Sequence, residues 1–368
     1  MKKTLIAVAA LSAMACSAMA AQVTLSGIVD LGLNFTHKKV GSADATNSFK
    51  MASGQNSGSR FMLKGNEELG NGVEVGFQLE NQFNADDGAL KSTNRLFHRE
   101  SRLYVKTAYG TLHAGRFGGL DAGTGSLSIF GGSDMAAFGT GWGDTGVIAE
   151  SKILKGLSSR YDNSIAYQSP TFAGFTLYLD HSFKTDKDGV GDEGRPSTTQ
   201  YNAAGLKYAN GAFSAAFVYS QQNYATIQAY KPDNSQAYSL GAAYDFGVCK
   251  LMVEGQYFDM GKWGGLGSDG ETYEQKYGQK GWGGLVSVTA PVAGGKIYAS
   301  AGYKDAEGTE DAKYDHTAWS VGLGYSYNFS KRTMFYTAAG YTEEKDEAAK
   351  GTTKTKTTEV MLGLVHKF

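Results

Sequence analysis

Read two residues at a time, the stretch EVMLGLVHKF (359–368) separates into two faces. Val360, Leu362, Leu364, His366 and Phe368 share one, which is mostly apolar, and Glu359, Met361, Gly363, Val365 and Lys367 share the other, where small and charged residues alternate. Similar segments recur along the chain at 22–36, 57–66, 72–83, 99–108, 111–117, 160–168, 174–183, 201–209, 211–221, 237–246, 247–258, 282–290, 293–304, 317–328, 331–341 and 358–368. The pattern predicts sixteen strands, an even number, of the length that a tilted strand needs to cross a bilayer.

The connections are sorted. Short turns such as NEELGNG, AYGT, SPTFAG, YANGA and NFSK alternate with long polar segments at 37–56, 84–98, 117–159, 184–200, 222–236, 259–281, 305–316 and 342–357, so every long loop falls at one end. Tyr109, Phe172, Phe246 and Phe329 stand at short turns, and Phe368 at the same end of its strand, where an aromatic girdle at a membrane interface belongs. A soluble β-sandwich has no reason to sort its loops in this way. The predicted fold is all-β, a transmembrane antiparallel β-barrel of sixteen strands. In lipid no strand edge can stay open, so the last strand must pair with the first, with Val360, Leu362, Leu364 and Phe368 toward lipid and Glu359 and Lys367 toward a wet interior.

Composition agrees: 22 Tyr, 19 Phe and 50 Gly against 4 Pro suit strands and turns better than helices. Residues 1–20, MKKTLIAVAALSAMACSAMA, have a basic start, an apolar stretch and a small-residue cleavage site, which reads as a secretory signal peptide, leaving 21–368 as the barrel. Its removal takes two lysines and no acids from a chain of formal charge −1, leaving −3, and nothing in that balance suggests nucleic acid. Cys16 leaves with the signal, so Cys249 has no intrachain partner. Beyond residue 20 no run of about 18 apolar residues exists to form a membrane-spanning helix.

The segments AQVTLSGIVDLGL, SGSRFMLKGNEELGNGVEVGFQLE, ESRLYVKTAYGTLHAGRFG, SRYDNSIAYQSPTFAGF and LGLVHKF resemble the general porins of Gram-negative bacteria, of the Neisseria and Comamonas type. The resemblance implies a homotrimer of barrels in the outer membrane, each a water-filled pore narrowed by its third long loop folded into the lumen. It also implies contact with outer-membrane lipids and lipopolysaccharide, and Phe368 as a signal read by the outer-membrane assembly machinery. The third long segment, 117–159, is 43 residues long and rich in glycine, which independently suits an inward loop.

Six of the eight arginines lie in or beside the strands that flank this loop. Alternation turns Phe61 and Leu63 to lipid and hence Arg60 and Lys64 to the lumen; Leu103 and Val105 outward and hence Arg102, Tyr104 and Lys106 inward; Ile165 and Tyr167 outward and hence Arg160, Asp162 and Ser164 inward. Guanidinium groups keep their hydration in a water-filled lumen and hold their charge at any ordinary pH, so Arg60, Lys64, Arg102 and Arg160 read as the basic wall of a constriction. Arg99 and Arg95 at a loop edge, and Arg116 with unfavourable parity, are weaker members. By resemblance, such a wall faces acids on the inserted loop, here Asp121, Asp134, Asp144 and Glu150. The structural alternative is that the arginines pair with wall carboxylates such as Glu74, Glu80, Glu100 and Asp162.

No catalytic constellation, metal site or cofactor motif emerges from the six scattered histidines or from DKDGVGDEG, which lacks the ligand spacing of a calcium loop. The expected function is passive diffusion of small hydrophilic solutes and ions across the outer membrane. The alternatives are a substrate-selective channel and a barrel that serves adhesion through its loops.

Overall fold

The computed structural model of the protein describes residues 23–368 except 131–134, 139–141, 144–145, 147, 149–151, 155–159, 188, 190, 226–232, 261–277, 310–313 and 349–350. The described residues form strands β1 (Thr24–Val40), β2 (Thr46–Ser53), β3 (Arg60–Gly70), β4 (Val73–Gln82), β5 (Glu100–Thr107), β6 (Gly110–Phe117), β7 (Tyr161–Gln168), β8 (Phe175–Ser182), β9 (Gln200–Asn210), β10 (Phe213–Asn223), β11 (Ser235–Asp245), β12 (Lys250–Met260), β13 (Gln279–Val292), β14 (Gly295–Gly308), β15 (Asp315–Asn328), β16 (Thr333–Ala348) and β17 (Gly351–Lys367). All pair antiparallel in one sheet, and β17 returns to β1 in a register running from Ile28↔Lys367 to Val40↔Thr355. Both β2 and β3 pair with β1, at Leu31–Lys38 and Thr24–Ile28 respectively, so they lie end to end as one interrupted strand. Counted around the wall, the barrel has sixteen strands and no free edge, so every strand finds ladder partners on both sides without water.

The alternation is visible in exposure. Val360, Leu362 and Leu364 are exposed on the outside, whereas Glu359, Met361 and Val365 are buried on the inside. Phe368 fixes the seam: its N–H donates to the Gly27 carbonyl at 3.1 Å, the Gly27 N–H donates to its carbonyl at 3.0 Å, and its ring lies over Gly27 where a Cβ would collide with it. Tyr109, Phe172, Phe246, Phe329 and Phe368 are all exposed at the short-turn end, as a girdle requires. A second outward aromatic row follows neighbouring strands near the other end, with ring contacts Tyr219–Tyr238 at 5.0 Å, Tyr238–Tyr257 at 6.3 Å, Trp282–Tyr303 at 5.6 Å and Trp319–Tyr341 at 5.1 Å.

Three expected loops are largely strand. Segment 37–56 contains the end of β1 and all of β2, segment 305–316 is shortened by β14 and β15, and 342–357 is mostly a hairpin of β16 and β17. The reason is that pairing does not stop where lipid stops: Thr-, Lys- and Glu-rich segments still alternate, and their ladders continue into water with cross-strand ion pairs such as Lys354–Glu343 at 3.2 Å.

Between β2 and β3 the backbone leaves the ladder and bonds to the inner wall. The buried Asp30 accepts from the Asn56 and Ser57 N–H groups, each at 2.7 Å, through Oδ2 and from the Tyr336 hydroxyl at 2.6 Å through Oδ1. Asn34 donates to Gln55 at 2.9 Å and to Glu359 at 2.6 Å. The interruption is thereby held against β1, β16 and β17 on the side of the lumen.

Candidate functional site

Arg60 follows this interruption directly. Its guanidinium donates to the Ser57 hydroxyl at 3.0 Å and the Gly58 carbonyl at 2.9 Å, and its Nε lies 3.6 Å from Glu80. Arg99, one residue before β5, pairs with the same Glu80 and donates to Gln82 at 2.7 Å. Two guanidinium groups therefore share the Glu80 carboxylate, while Asp30 and Glu100 also act on Arg60 from further off.

Arg102 is placed differently. Only 8% exposed, it donates to Glu100 at 3.0 Å, to Gln78 at 3.0 Å and to Nδ1 of His113 at 2.6 Å, and lies 5.4 Å from the Tyr104 ring centroid. Its donors are committed to the wall, and Glu100 accepts from the Ser126 N–H at 2.6 Å and from the Ser126 hydroxyl on its other side. This is the pairing alternative, realised in a buried network.

A third group surrounds Asp162, which accepts from Arg95 at 2.6 Å, from Arg116 at 2.5 Å and from the Lys187 N–H at 2.8 Å, while Arg95 also reaches Asp186 at 3.0 Å. Arg116 gets there despite its parity because the β6–β7 register shifts between Gly115 and Phe117. Gly115 has φ +131°, which a residue with a Cβ rarely adopts, and Asn163 opposite has φ +49°. Alternation counted from Leu112 or Ile165 therefore does not carry across this bulge. Arg160, just before β7, lies in the field of Arg99, Arg116, Glu80 and Glu100. His98, in the loop ahead of β5, reports the same cluster: burial pushes its imidazole down to about 4, and Arg160, Arg99 and Arg116 push it in the same direction.

The third long connection touches inward positions around the wall. Besides Ser126, the Gly143 N–H donates to the Gln55 carbonyl at 2.8 Å, the Ala137 N–H to Ser287 at 2.9 Å, and Lys152 pairs with Glu344 at 2.9 Å. Asp121 accepts from Tyr201 at 2.8 Å and Ser220 at 2.6 Å, on β9 and β10, so the structure does not bring it to the arginines. Asp134, Asp144 and Glu150 lie outside the described residues. Apolar side chains of the connection rest where the wall has glycine: a Cβ on Gly302 would come within 2.8 Å of Ile153, and one on Gly340 within 2.8 Å of Ile148. Phe138 and Trp142 pack on Tyr298 with ring centroids 5.8 and 4.9 Å away, and Trp142 on Tyr336 at 5.8 Å.

Among the described residues, two cavities adjoin the arginines. One, of about 520 Å³, is lined by Lys64, Gln78, Glu80, Ser126 and Phe368 among others; the second, of about 530 Å³, by Asn56, Gln82, Phe138, Trp142 and Tyr298 among others; both include Arg60, Arg99 and Gly125. Lys64 is exposed within the first. Sequence reasoning missed Glu100 as a seat for Ser126, Asp121 as an anchor, and the Phe138–Trp142–Tyr298 group. Only Glu100 carried a signal, lying two residues from Arg102 on the same strand face.

A family model for Gram-negative porins matches residues 7–347. The chain belongs to the Gram-negative porins. The porin is 32% identical, over the full length of both chains, to an outer membrane porin protein of Bordetella pertussis. It is 30% identical to outer membrane porin protein 32 of Delftia acidovorans, covering 95% of this chain and 92% of that one. Among solved structures it is similar in fold to the anion-selective porin from Comamonas acidovorans, with TM-score 0.69, 24% identity, and coverage of 95% of this chain and 100% of that one. The porin is thus a diffusion channel in the outer membrane of a Gram-negative bacterium.

Proposed function

We propose that this porin is a general diffusion channel for small hydrophilic solutes and ions, with an anion preference set at a passage between Arg60 and Arg99 on the wall and Gly125 on the third connection. The observation that carries this reading is that two cavities share those three residues in their linings, one of them lined by Arg60 and Arg99 with no carboxylate and the other by more basic than acidic side chains among the described residues. In a narrow passage salt screens weakly, so an excess guanidinium raises the local anion concentration relative to cations. Arg160 and the exposed Lys64 add to the same field, whereas Arg102 acts chiefly on the wall. The contacts of Ser126, Ala137, Gly143 and Lys152 with inward wall positions support folding of 117–159 into the lumen as the narrowing element.

The proposal includes removal of residues 1–20 on export, assembly as a homotrimer in contact with lipid and lipopolysaccharide, Phe368 as an assembly signal, and passive transport without catalysis or cofactor. The Comamonas relative is anion-selective, and one Vibrio cholerae neighbour of similar fold has been solved in a trimer form, which favours both features here.

Planar-bilayer recording tests it. The expected result is conductance in three equal levels that rises linearly with salt, an anion-selective reversal potential that moves toward cations in Arg99→Gln, and larger conductance when residues 128–146 are deleted. Saturation by a sugar would instead indicate a selective channel, and an absence of conductance an adhesion role. Cation selectivity, or a reversal potential unmoved by Arg99→Gln in folded protein, would overturn the assigned passage.

A further inference from the structure

The cavity of about 530 Å³ has a lining of mixed chemistry. Its lining brings together Asn56, Arg60 and Arg99 with Phe138, Trp142 and Tyr298. Arg60 and Arg99 both pair with Glu80, and among the described residues the lining holds these two guanidinium groups and no carboxylate, so an incoming anion meets positive charge. The three rings form one packed unit: Trp142 lies 4.9 Å from Tyr298 and meets Phe138 edge-on at 5.2 Å and 78°. The unit is held from both ends, by the Gly143 N–H on the Gln55 carbonyl and by the Tyr298 hydroxyl, 3.0 Å from that of Ser326. Phe138 and Trp142 are largely buried in this packing, at 4% and 6% exposure, and what they present to the cavity beside the partly buried Tyr298 is a poorly hydrated ring edge that offers small inorganic ions no partner.

We infer that this cavity is a binding subsite for organic anions with a flat apolar body, aromatic carboxylates above all, held by the carboxylate on Arg60 and Arg99 and by the ring on the Phe138–Trp142–Tyr298 surface. The inference rests on the porin reading and deepens it by naming a solute class. A small aliphatic carboxylate engages only the guanidinium groups, and a neutral aromatic alcohol only the rings. An aromatic carboxylate engages both and dwells longer in the passage.

The experiment compares block of the chloride current through reconstituted full-length protein by benzoate, acetate and benzyl alcohol. Benzoate should reduce the current saturably, with half-block at a concentration about fivefold below that of acetate, the size of effect expected from one added aromatic contact. Benzyl alcohol should leave the current unchanged. Tyr298→Leu and Trp142→Leu should each bring benzoate to the acetate value, with block scored as a fraction of each variant's own chloride current in heat-resistant assembled protein; Tyr298 lies on a strand, so its variant carries the test if the Trp142 variant does not assemble. Equal block by benzoate and acetate in a conducting wild-type pore overturns the subsite and leaves the porin reading intact. Block by benzyl alcohol equal to that by benzoate overturns the ionic half of it, and no conductance at all overturns both.

Discussion

Strands β4 to β8 span eight to ten residues, whereas β13 to β17 span fourteen to seventeen. The long side keeps an unbroken register over every pair, and its outer face carries part of the second aromatic row. The short side shifts register at β6–β7, and the arginine cluster sits there. Where the ladder stops early, side chains take over its bonding: Arg116 donates to the His98 carbonyl at 2.6 Å, the Lys187 N–H to Asp162, and Arg102 links Glu100, Gln78 and His113. On one side of the barrel hydrogen-bonded backbone holds the wall. On the other, charged groups hold it, and some of the same groups face the passage.

The largest effect is expected at the seam where the two sides meet. Deleting Phe368 removes both ladder bonds to Gly27 and the ring that covers it, and the yield of heat-resistant assembled protein in outer membranes should fall severalfold. An unchanged yield would show that the β1–β17 register holds without it. Within the short side, Arg102→Gln leaves Glu100 buried without its cation, which costs roughly 3–5 kcal/mol, and should lower the midpoint of heat dissociation while moving the reversal potential less than Arg99→Gln does. The opposite ranking would make Arg102 part of the passage. On the long side, Glu343→Gln breaks exposed pairs with Lys354 and Lys356, and the expected change is only about 0.2–1 kcal/mol. A loss as large as that of Arg102→Gln would erase the distinction between the two sides.

The smallest effect concerns pH. His98 titrates at about 4 rather than at 6.5, so at pH 6 it is neutral, and His98→Gln should leave the reversal potential there unchanged. As pH falls through 6.5 an unfolded chain takes up the proton before the folded one, so His98 weakens the fold progressively down to about 4. Heat resistance of the wild type should therefore drop relative to His98→Gln between pH 6.5 and 4. A reversal potential that differs between the two at pH 6 would mean a charged imidazole.

The barrel was largely legible in the sequence because lipid and water impose a strict period of two, and the short turns and aromatic girdle follow from the same boundary. What escaped was whatever that boundary does not govern. The polar ends of β16 and β17 pair through backbone ladders and cross-strand ion pairs, so an apolar criterion passes over them. Parity turned Arg60 and Lys64 inward, where both line a cavity, yet it fails at Arg116, because a bulge adds a residue without marking the pattern. Ser126 on Glu100 and Trp142 on Tyr298 join positions far apart in the chain, and no local spacing encodes them.

The pairing of Ile28 with Lys367 has a consequence for the order of events in folding. Nearly every other contact in the wall joins neighbours along the chain and can form as soon as a hairpin exists, but this one spans almost the whole sequence. Loop closure over such a distance is the slowest and entropically most demanding step of the topology. Until residue 367 has been made and brought round to β1, the sheet is an open ribbon with two reactive borders. The interval before closure is when the chain is most exposed to mispairing, and a chaperone that masks those borders would act in that interval alone.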